Sequence, residues 1–295
     1  MRTGSALTAA VLALCFAGSA LAQSAYVAQA GPGAGASDCP GGLCQPEALE
    51  GLFEALAATE AGQRQRPVHI LQIGDSHTAG DRITGAVRAV LQRRFGNGGR
   101  GVLPPGIPYD GYAPLQVQVE AKDWSLTQEP LVPAGGYGRV GVGLAGAQAI
   151  RFGAEPSLTL TPGGGVALYD LWLAMGGPGV VVSNLGVVGA TLRDLAARDE
   201  AVTATELAYW RPQLIILAFG TNEGFDDGLD PVAYEALLRG QIGRMRRLAP
   251  AASLMLLGAP DGERTGAAGG CSADGMRRPP PSLAVVRDVQ RRVAA

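Results

Sequence analysis

The hydrophobic residues of this chain follow two periodic patterns that predict alternating strands and helices. Short, unbroken apolar runs predict buried strands, and four of them occur, at residues 68–73, 180–184, 214–219 and 253–258. Apolar residues spaced three or four positions apart predict helices, and such stretches cover residues 47–61, 81–95, 191–208 and 231–248. This succession indicates a parallel sheet covered by helices, whose ligand crevice lies at the carboxyl ends of the strands.

Residues 96–175 have a different pattern. Prolines and glycines are dense there, and residues 115–119 and 157–161 alternate between apolar and polar side chains, as half-buried strands do. We therefore expect an inserted antiparallel β region. The helix predicted just before it is amphipathic, with arginines between the apolar residues Ile83, Val87, Val90 and Leu91.

The composition is that of a globular protein, and it narrows the range of partners. Hydrophobic residues make up 47% of the sequence, which excludes wholesale disorder. The net charge of -2 gives no electrostatic reason to expect nucleic acid as a partner. The basic residues number 24, and all except Lys122 are arginines, but no run of them forms a dense basic stripe.

The N-terminal residues have the features of a secretory signal peptide. Residues 6–20 are apolar but short for a membrane span, and residues 20–22 match a small-x-small cleavage site. We therefore expect a signal peptide at 1–22 and a flexible lead-in at 23–46, which is rich in Ala, Gly, Ser and Pro. The mature protein is then exported, either periplasmic or secreted, without a stable membrane span.

The four cysteines are spaced in a way that predicts one small disulfide loop. Cys15 lies in the signal peptide, and lipid attachment there is disfavoured because Leu14 precedes it where a small residue is needed. Cys39 and Cys44 bracket a turn-rich stretch, so a disulfide is expected in an oxidising compartment, with two unlinked thiols as the alternative. Cys271 has no nearby cysteine or histidine, and we predict no metal site.

Polar and glycine-rich segments follow three of the predicted strands. Ser76 lies in a tight turn after the first strand, Gly189 follows the second and Asn222 follows the third. Because the carboxyl ends of parallel strands meet at one edge of a sheet, these residues are predicted to share one crevice. A serine there can act as a nucleophile, while the Gly189 N–H and the Asn222 amide stabilise an oxyanion. Taken singly, each residue also fits a turn or a helix cap.

These segments resemble the sequence blocks of the SGNH, or GDSL-like, hydrolase superfamily. The first block matches Gly-Asp-Ser-His-Thr-Ala-Gly-Asp at residues 74–81, and the Asn block matches Gly-Thr-Asn-Glu at residues 220–223. The resemblance implies an α/β fold with a flavodoxin-like three-layer arrangement around a parallel sheet. It also implies that Ser76 is the nucleophile and that Gly189 and Asn222 belong to the oxyanion hole.

Domain boundaries and a substrate class also follow from the resemblance. It implies a hydrolase domain at residues 47–95 and 176–295, with the β-rich insert at 96–175. The insert, the Gly-Arg-Gly segment at 99–101 and the export signal are similar to those of exported peptidoglycan O-acetylesterases. Such enzymes remove acetyl groups from wall polysaccharide. The implied partner is therefore a cell-wall glycan or another acyl ester, and no cofactor is required.

One part of the family pattern is absent from these 295 residues. The family has a late Asp-x-x-His block that supplies the general base and its Asp, whereas no histidine follows His77. His77 comes directly after Ser76, and His69 begins the first strand, so neither is well placed to take the serine proton. We therefore expect a C-terminally incomplete fold with impaired hydrolysis, and a genuine pseudo-enzyme or an unusual base remains as the alternative.

Two other functions fit the same segments. The first is an esterase of the same fold that acts on a lipid or another acyl ester. The second is a non-catalytic glycan-binding protein that would use aromatic residues of the insert, with candidates Tyr109, Tyr112, Trp124 and Tyr137. Binding to peptidoglycan without release of acetate would indicate the glycan-binding protein, whereas a series of ester chain lengths would separate the two esterases.

Overall fold

The computed structural model describes residues 39, 42–103, 112–121, 124–129, 139–144, 148–151, 157–160, 167–168, 171–174, 177–264 and 279–295. The predicted signal peptide, most of the predicted lead-in, Tyr109, Tyr137 and Cys271 lie outside the described residues. Within the described ranges, no helix has the length and apolar character needed to cross a bilayer.

The described residues form helices and strands that alternate at both ends of the chain. The helices are α1 (Glu50–Glu60), α2 (Ser76–Ala79), α3 (Arg82–Phe95), α4 (Leu192–Ala196), α5 (Glu200–Trp210), α6 (Thr221–Gly224), α7 (Pro231–Leu248) and α8 (Pro281–Ala294). The strands are β1 (Val68–Gly74), β2 (Gly99–Leu103), β3 (Gln118–Ala121), β4 (Trp124–Glu129), β5 (Arg139–Leu144), β6 (Gln148–Arg151), β7 (Ser157–Leu160), β8 (Ala167–Leu168), β9 (Leu171–Ala174), β10 (Val180–Gly186), β11 (Leu214–Ala218) and β12 (Ser253–Leu256).

The central sheet consists of four parallel strands in the order β10-β1-β11-β12. Strand β1 pairs with β10 from Val68 opposite Val180 to Gly74 opposite Gly186. All seven residues of β1 are buried, because the strand has neighbours on both sides and helices on both faces. The four apolar runs of the sequence are therefore the four strands of this sheet, and the predicted α/β fold class is confirmed.

The two faces of the sheet are covered by different sets of helices. On one face, Leu52 and Leu56 of α1 pack with Val68 and Ile70 of β1 in one apolar cluster, which Leu91 of α3 also contacts. On the other face, the alternate residues of the strands pack against side chains from α4, α5, α7 and α8 in a second cluster. The burial of both faces gives the three layers that the resemblance implied.

The strands between β1 and β10 pair antiparallel. Strand β2 pairs with β9, β6 lies between β3 and β7, and β5 lies between β4 and β8. The strand predicted at 157–161 is β7. The strand predicted at 115–119 begins later, at Gln118, because Leu115 and Gln116 form a turn in which Gln116 has φ 66°. A positive φ is incompatible with an extended strand.

Three of the four residues in the apolar stripe of helix α3 lie on the outside, which an amphipathic pattern does not predict. The side chains of Ile83, Val87 and Val90 are 41%, 38% and 55% exposed, whereas Arg88 is fully buried. The reason lies in the contacts of Arg88, whose Nε donates to Val182 O at 2.9 Å and whose Nη2 donates to a buried carboxylate. A charged hydrogen-bond network therefore sets the orientation of the helix, and the hydrophobic pattern does not.

The single helix predicted at 191–208 is divided into α4 and α5. Asp199 begins α5 as its N-cap, and its side chain accepts a hydrogen bond from Val202 N at 2.8 Å. Arg244 of α7 stabilises the break, because its guanidinium donates to Leu195 O at 3.0 Å and to Arg198 O at 2.6 Å. The free carbonyls at the end of α4 are thus satisfied by a residue 49 positions away.

Cys39 and Cys44 are joined by a disulfide. The expected small loop is therefore formed, and its cysteine Cα atoms lie 4.2 Å apart. The loop precedes the 3₁₀ turn Pro46–Leu49 that leads into α1.

Candidate active site

Three loops at the carboxyl ends of β1, β10 and β11 form the candidate active site. Strand β1 lies between the other two, so the loop that contains Ser76 has the Gly189 loop on one side and Asn222 on the other. Backbone hydrogen bonds hold them together: Val187 N donates to Gly74 O at 3.1 Å, and Asp75 N donates to Ala218 O at 3.4 Å. The predicted convergence of the three loops at one edge of the sheet is observed.

Ser76 is the first residue of α2, directly after β1, and it is partly exposed. Asp75 caps α2, and its carboxylate accepts a hydrogen bond from His77 N at 2.9 Å. Gly74 is needed because a Cβ atom at this position would lie 2.4 Å from both Ala218 O and Thr78 Oγ1. The turn from strand to helix is therefore tight, and it presents Ser76 at the edge of the sheet.

The end of β10 packs directly against the turn that contains Ser76. A Cβ atom on Gly186 would lie only 2.0 Å from Ala79 N, so no other residue fits there. Asn184 Nδ2 donates to Thr78 O at 3.1 Å, and Gln72 Nε2 donates to Thr78 Oγ1 at 2.8 Å. These contacts fix α2 to two strands, so the position of Ser76 is set by the sheet.

A buried charged cluster lies behind the same turn. Asp81 has φ 51° and accepts hydrogen bonds from Arg88 Nη2 and Arg100 Nη2, each at 2.8 Å. Burial alone would raise the pKa of Asp81, but the hydrogen bond from Arg88 and the charge of Arg100 hold it below its ordinary value. Arg100 also donates to Asn184 Oδ1 at 3.0 Å, which links the cluster to the asparagine that binds α2. Sequence reasoning assigned these charged residues no role.

Asn222 and the Gly189 loop are joined directly. Asn222 Nδ2 donates to Ala190 O at 2.7 Å, which fixes the orientation of the amide and leaves its second N–H for another acceptor. Gly189 is exposed and has φ 80°, a conformation that favours glycine, with open space around its Cα. Both predicted oxyanion residues are thus in one hydrogen-bonded unit beside α2.

Glu223 is a residue of the site that sequence reasoning did not single out. Its side chain is buried, its Oε1 accepts a hydrogen bond from Leu192 N at 2.7 Å, and its Oε2 accepts none from the described residues. Burial raises the pKa of Glu223, while the hydrogen bond from Leu192 opposes that rise. The signal available in the sequence was the acidic residue directly after Asn222.

His77 lies at the edge of an open cleft next to Ser76. Its Nδ1 is 3.2 Å from Asp75 Oδ1 and 3.5 Å from Thr221 Oγ1, and its side chain is 44% exposed. The cleft has a volume of about 140 Å³, and its walls include Asp75, His77, Ala218, Thr221, Leu257 and Pro260. Ser76 borders this cleft through its two chain neighbours and does not itself line it.

His69 lies at the opposite end of β1 in a closed network. Its Nε2 is 2.8 Å from Ser183 Oγ and its Nδ1 is 3.3 Å from Trp210 O. Burial lowers the pKa of His69 to about 3, so the ring is neutral at ordinary pH. It lies five peptide steps before Gly74, about 16 Å along the strand, and it therefore cannot reach Ser76.

Metal ligands are not grouped in this part of the molecule. Among the described residues, no cluster of three or more His, Cys, Asp or Glu side chains has the arrangement of a metal site. The groups that converge at the strand ends are a hydroxyl, an amide, backbone N–H groups and a partly exposed imidazole. These are the groups used in acyl transfer.

Comparison with known proteins finds similarity to solved structures. No family model matches the sequence, and no curated protein matches it. A structure of a peptidoglycan O-acetylesterase has a TM-score of 0.64 and 24% identity, covering 83% of this chain and 80% of that chain. A lipase/acylhydrolase from Enterococcus faecalis has 12% identity and a TM-score of 0.37, covering 77% of this chain and 71% of that chain. The first similarity shows that the two chains share a fold.

Proposed function

We propose that this protein is a serine ester hydrolase with Ser76 as its nucleophile. The observation that carries the proposal is the unit formed by the Gly189 loop and Asn222, which lies on both sides of the Ser76 turn. The 2.7 Å hydrogen bond from Asn222 Nδ2 to Ala190 O keeps this unit together before any substrate is bound. Preorganised donors of this kind stabilise the negative charge that develops during acyl transfer.

The reaction has two steps. Ser76 Oγ attacks the ester carbonyl and passes its proton to water or to an added base such as imidazole, and the carbonyl oxygen becomes an oxyanion that accepts hydrogen bonds from Gly189 N–H and the free Asn222 N–H. The C–O bond to the leaving alcohol then breaks, the alcohol takes up a proton, and an acyl-Ser76 ester remains. Water attacks this ester in the same way, which releases the carboxylic acid and restores Ser76.

We assign the substrate to acetyl esters of cell-wall polysaccharide. The fold shared with a peptidoglycan O-acetylesterase supports this assignment, as does the predicted signal peptide, which would bring an exported enzyme to the wall. The exposed Val187 and Val188, next to Gly189, give the mouth of the site an apolar rim on one side. Such a rim suits contact with a sugar ring more than binding of a charged group.

Neither histidine of these 295 residues is well placed to act as the general base for Ser76. His69 is buried far from Ser76, and the Nδ1 of His77 faces Asp75 and Thr221. We therefore propose that turnover is low, because loss of the base in comparable serine hydrolases costs about a million-fold in rate. An oxyanion hole without a base still accelerates hydrolysis by roughly a thousand-fold over water.

Chemical rescue with imidazole tests the proposal. The 295-residue chain is mixed with p-nitrophenyl acetate and increasing imidazole, and Ser76→Ala is measured in parallel to subtract the reaction of imidazole alone. Ser76 is partly exposed, so imidazole from solution can approach its hydroxyl and accept the proton. We expect hydrolysis at least about tenfold faster in the unmodified chain than in Ser76→Ala, since a general base contributes about 100-fold or more.

Each outcome of this rescue experiment has a defined meaning. Equal rates in the two proteins at every imidazole concentration would contradict Ser76 as the nucleophile. Fast, Ser76-dependent hydrolysis without imidazole would support the nucleophile and contradict the missing base. Binding to O-acetylated peptidoglycan without acetyl transfer under either condition would indicate the glycan-binding alternative.

A further inference from the structure

Glu223 is a buried carboxyl group directly behind the candidate oxyanion hole. It comes from the one-turn helix α6, in which the preceding residue is Asn222. A buried carboxyl normally has hydrogen bonds to both oxygens. Here Oε1 accepts from Leu192 N, whereas Oε2 has no partner among the described residues. A buried carboxyl oxygen without a partner costs stability, so the presence of Glu223 needs an explanation.

The hydrogen bond of Glu223 falls on the same loop that Asn222 binds. Asn222 contacts Ala190 O at 2.7 Å, and Glu223 contacts Leu192 N at 2.7 Å, on either side of Thr191. Two consecutive side chains of α6 therefore hold two points of the Gly189 loop. We call this pair of contacts the strap.

The segment that would bind an oxyanion is exposed between two anchored ends. Val187, Val188 and Gly189 are exposed, and a side chain on Gly189 would meet open space. Val187 N donates to Gly74 O at 3.1 Å, which anchors the beginning of the segment, and Ala190 N donates to Val187 O at 3.1 Å, which closes the turn. At the other end, the strap contacts the buried Ala190 and Leu192, the first residue of α4.

We propose that Glu223 is a positioning residue that holds the Gly189 N–H at a constant distance from the Asn222 amide. The bond from Val187 N to Gly74 O holds the beginning of the loop, and Asn222 holds its end at Ala190 O. The contact of Glu223 with Leu192 N adds a second point at that end, where the loop meets α4. This proposal rests on the proposed function, because it concerns the geometry of the same oxyanion hole.

The variants Glu223→Gln, Glu223→Ala and Glu223→Asp test the strap. Glutamine keeps an oxygen at the Oε1 position, alanine removes it, and aspartate withdraws the carboxylate by one C–C bond, about 1.5 Å. Glu206→Gln is the matched control. Glu206 is a partly buried carboxylate on α5 that pairs with Arg198, away from the site.

Hydrogen exchange of the Ala190 amide, which donates to Val187 O, is the first readout, and it requires no catalytic turnover. The Leu192 amide is left out, since it loses its own partner in any case. For Glu223→Ala we expect about tenfold faster exchange, the effect of losing one hydrogen bond that restrains the loop. Glu223→Gln should restore slow exchange to within about threefold of the unmodified chain, and Glu206→Gln should change nothing.

Kinetics with imidazole are the second readout. Glu223→Ala should lower kcat about 10- to 100-fold with KM within about threefold, because a misplaced oxyanion donor affects the transition state and not substrate binding. If the role of Glu223 were purely structural, its loss would lower the amount of folded enzyme, while kcat and KM of the folded fraction would stay unchanged. Glu223→Gln would then not recover kcat relative to Glu223→Ala.

Exchange of the Ala190 amide in folded Glu223→Ala that is as slow as in the unmodified chain would overturn the proposal. If that variant does not fold, Glu223→Asp takes its place, and unchanged exchange there has the same meaning. The two proposals can also fail separately. If the unmodified chain shows no Ser76-dependent hydrolysis but the Glu223→Ala variant exchanges faster, the proposed function is contradicted and the strap is supported.

Discussion

His69 lies near the amino end of β1, and His77 follows its carboxyl end in α2. The surroundings of the two rings differ, because those of His69 stabilise the fold whereas those of His77 are open to a ligand. At the amino end, His69 is buried, and both ring nitrogens have partners in Ser183 and Trp210. At the carboxyl end, His77 is 44% exposed and borders an open cleft next to Ser76. One end is a closed network, and the other presents groups to a ligand.

The amino end shows how a polar network can be part of a sheet core. Val102 N donates to Ser183 Oγ at 2.9 Å, the Ser183 hydroxyl donates to His69 Nε2, and His69 Nδ1 donates to Trp210 O. Lowered basicity keeps the ring neutral, so each atom has one role in the chain of hydrogen bonds. The carboxyl end lacks such closure, which is the arrangement expected where ligands bind in a parallel sheet.

The largest predicted effect is on catalysis at the carboxyl end. Asn222→Ala should lower the imidazole-rescued hydrolysis of p-nitrophenyl acetate by about 100- to 1,000-fold, the effect of removing one oxyanion donor. The melting temperature should fall only slightly, because the residue is half-buried and loses one hydrogen bond. A rate within about threefold of the unmodified chain would show that Asn222 does not bind the oxyanion.

The second prediction concerns pH and the amino end. An unfolded chain binds a proton at His69 below pH 6.5, whereas the folded chain does so only below about pH 3. The unfolded state therefore binds more protons between these values, and the free energy of unfolding falls as pH decreases. From pH 7.5 to 4.5 this contribution amounts to about 2.5 kcal/mol.

Urea titrations at several pH values measure that contribution. His69→Gln should remove it, so its free energy of unfolding should vary less with pH than that of the unmodified chain. His77→Gln is the matched control and should keep the contribution of His69. The same pH dependence in His69→Gln and the unmodified chain would contradict the neutral, closed network.

The third prediction removes the centre of the network. Ser183→Ala leaves Val102 N and His69 Nε2 without their partner, and we expect a loss of about 2 kcal/mol in the free energy of unfolding. The rescued hydrolysis should stay unchanged. Ser253→Ala at the edge of the sheet is the control and should cost less than about 0.5 kcal/mol. Loss of hydrolysis in a folded Ser183→Ala would show that the network at the amino end of β1 also affects catalysis, which would contradict this prediction.

The smallest predicted effect distinguishes the two hydroxyl groups at the carboxyl end. Thr221 Oγ1 lies 3.5 Å from His77 Nδ1, too far for a strong hydrogen bond. Thr221→Val should therefore change the rescued rate by less than about threefold. Abolished hydrolysis in this variant would indicate that Thr221, and not Ser76, is the nucleophile.

The sequence predicted the central sheet well because its strands are continuous apolar runs. The residues of β1, β10 and β11 are buried almost throughout, so local hydrophobicity alone marks them. The helix predicted at 231–248 is α7, with Pro231 at its first position and Asp230 as its cap. Start signals of this kind are local and can be found from the sequence.

The parts that the sequence did not predict depend on contacts between distant residues. The orientation of α3 follows from Arg88 and Arg100, which meet Asp81 from 7 and 19 positions away. The contact of Glu223 with Leu192 spans 31 positions. Hydrophobic periodicity contains no information on such pairs, because a buried arginine breaks the rule on which the pattern depends. For the candidate site, the presence of the strands and the residues at their carboxyl ends were predictable, whereas the groups that hold the loops were not.

The central claim is that Ser76 becomes acylated. Mass spectrometry of the proteolysed chain after incubation with p-nitrophenyl acetate and imidazole measures this directly. If Ser76 is the nucleophile, we expect an added acetyl group on the peptide that contains it, localised to that serine by fragmentation and absent from Ser76→Ala. Acetylation of Thr221 or His77 in its place, with Ser76 unmodified, would contradict it.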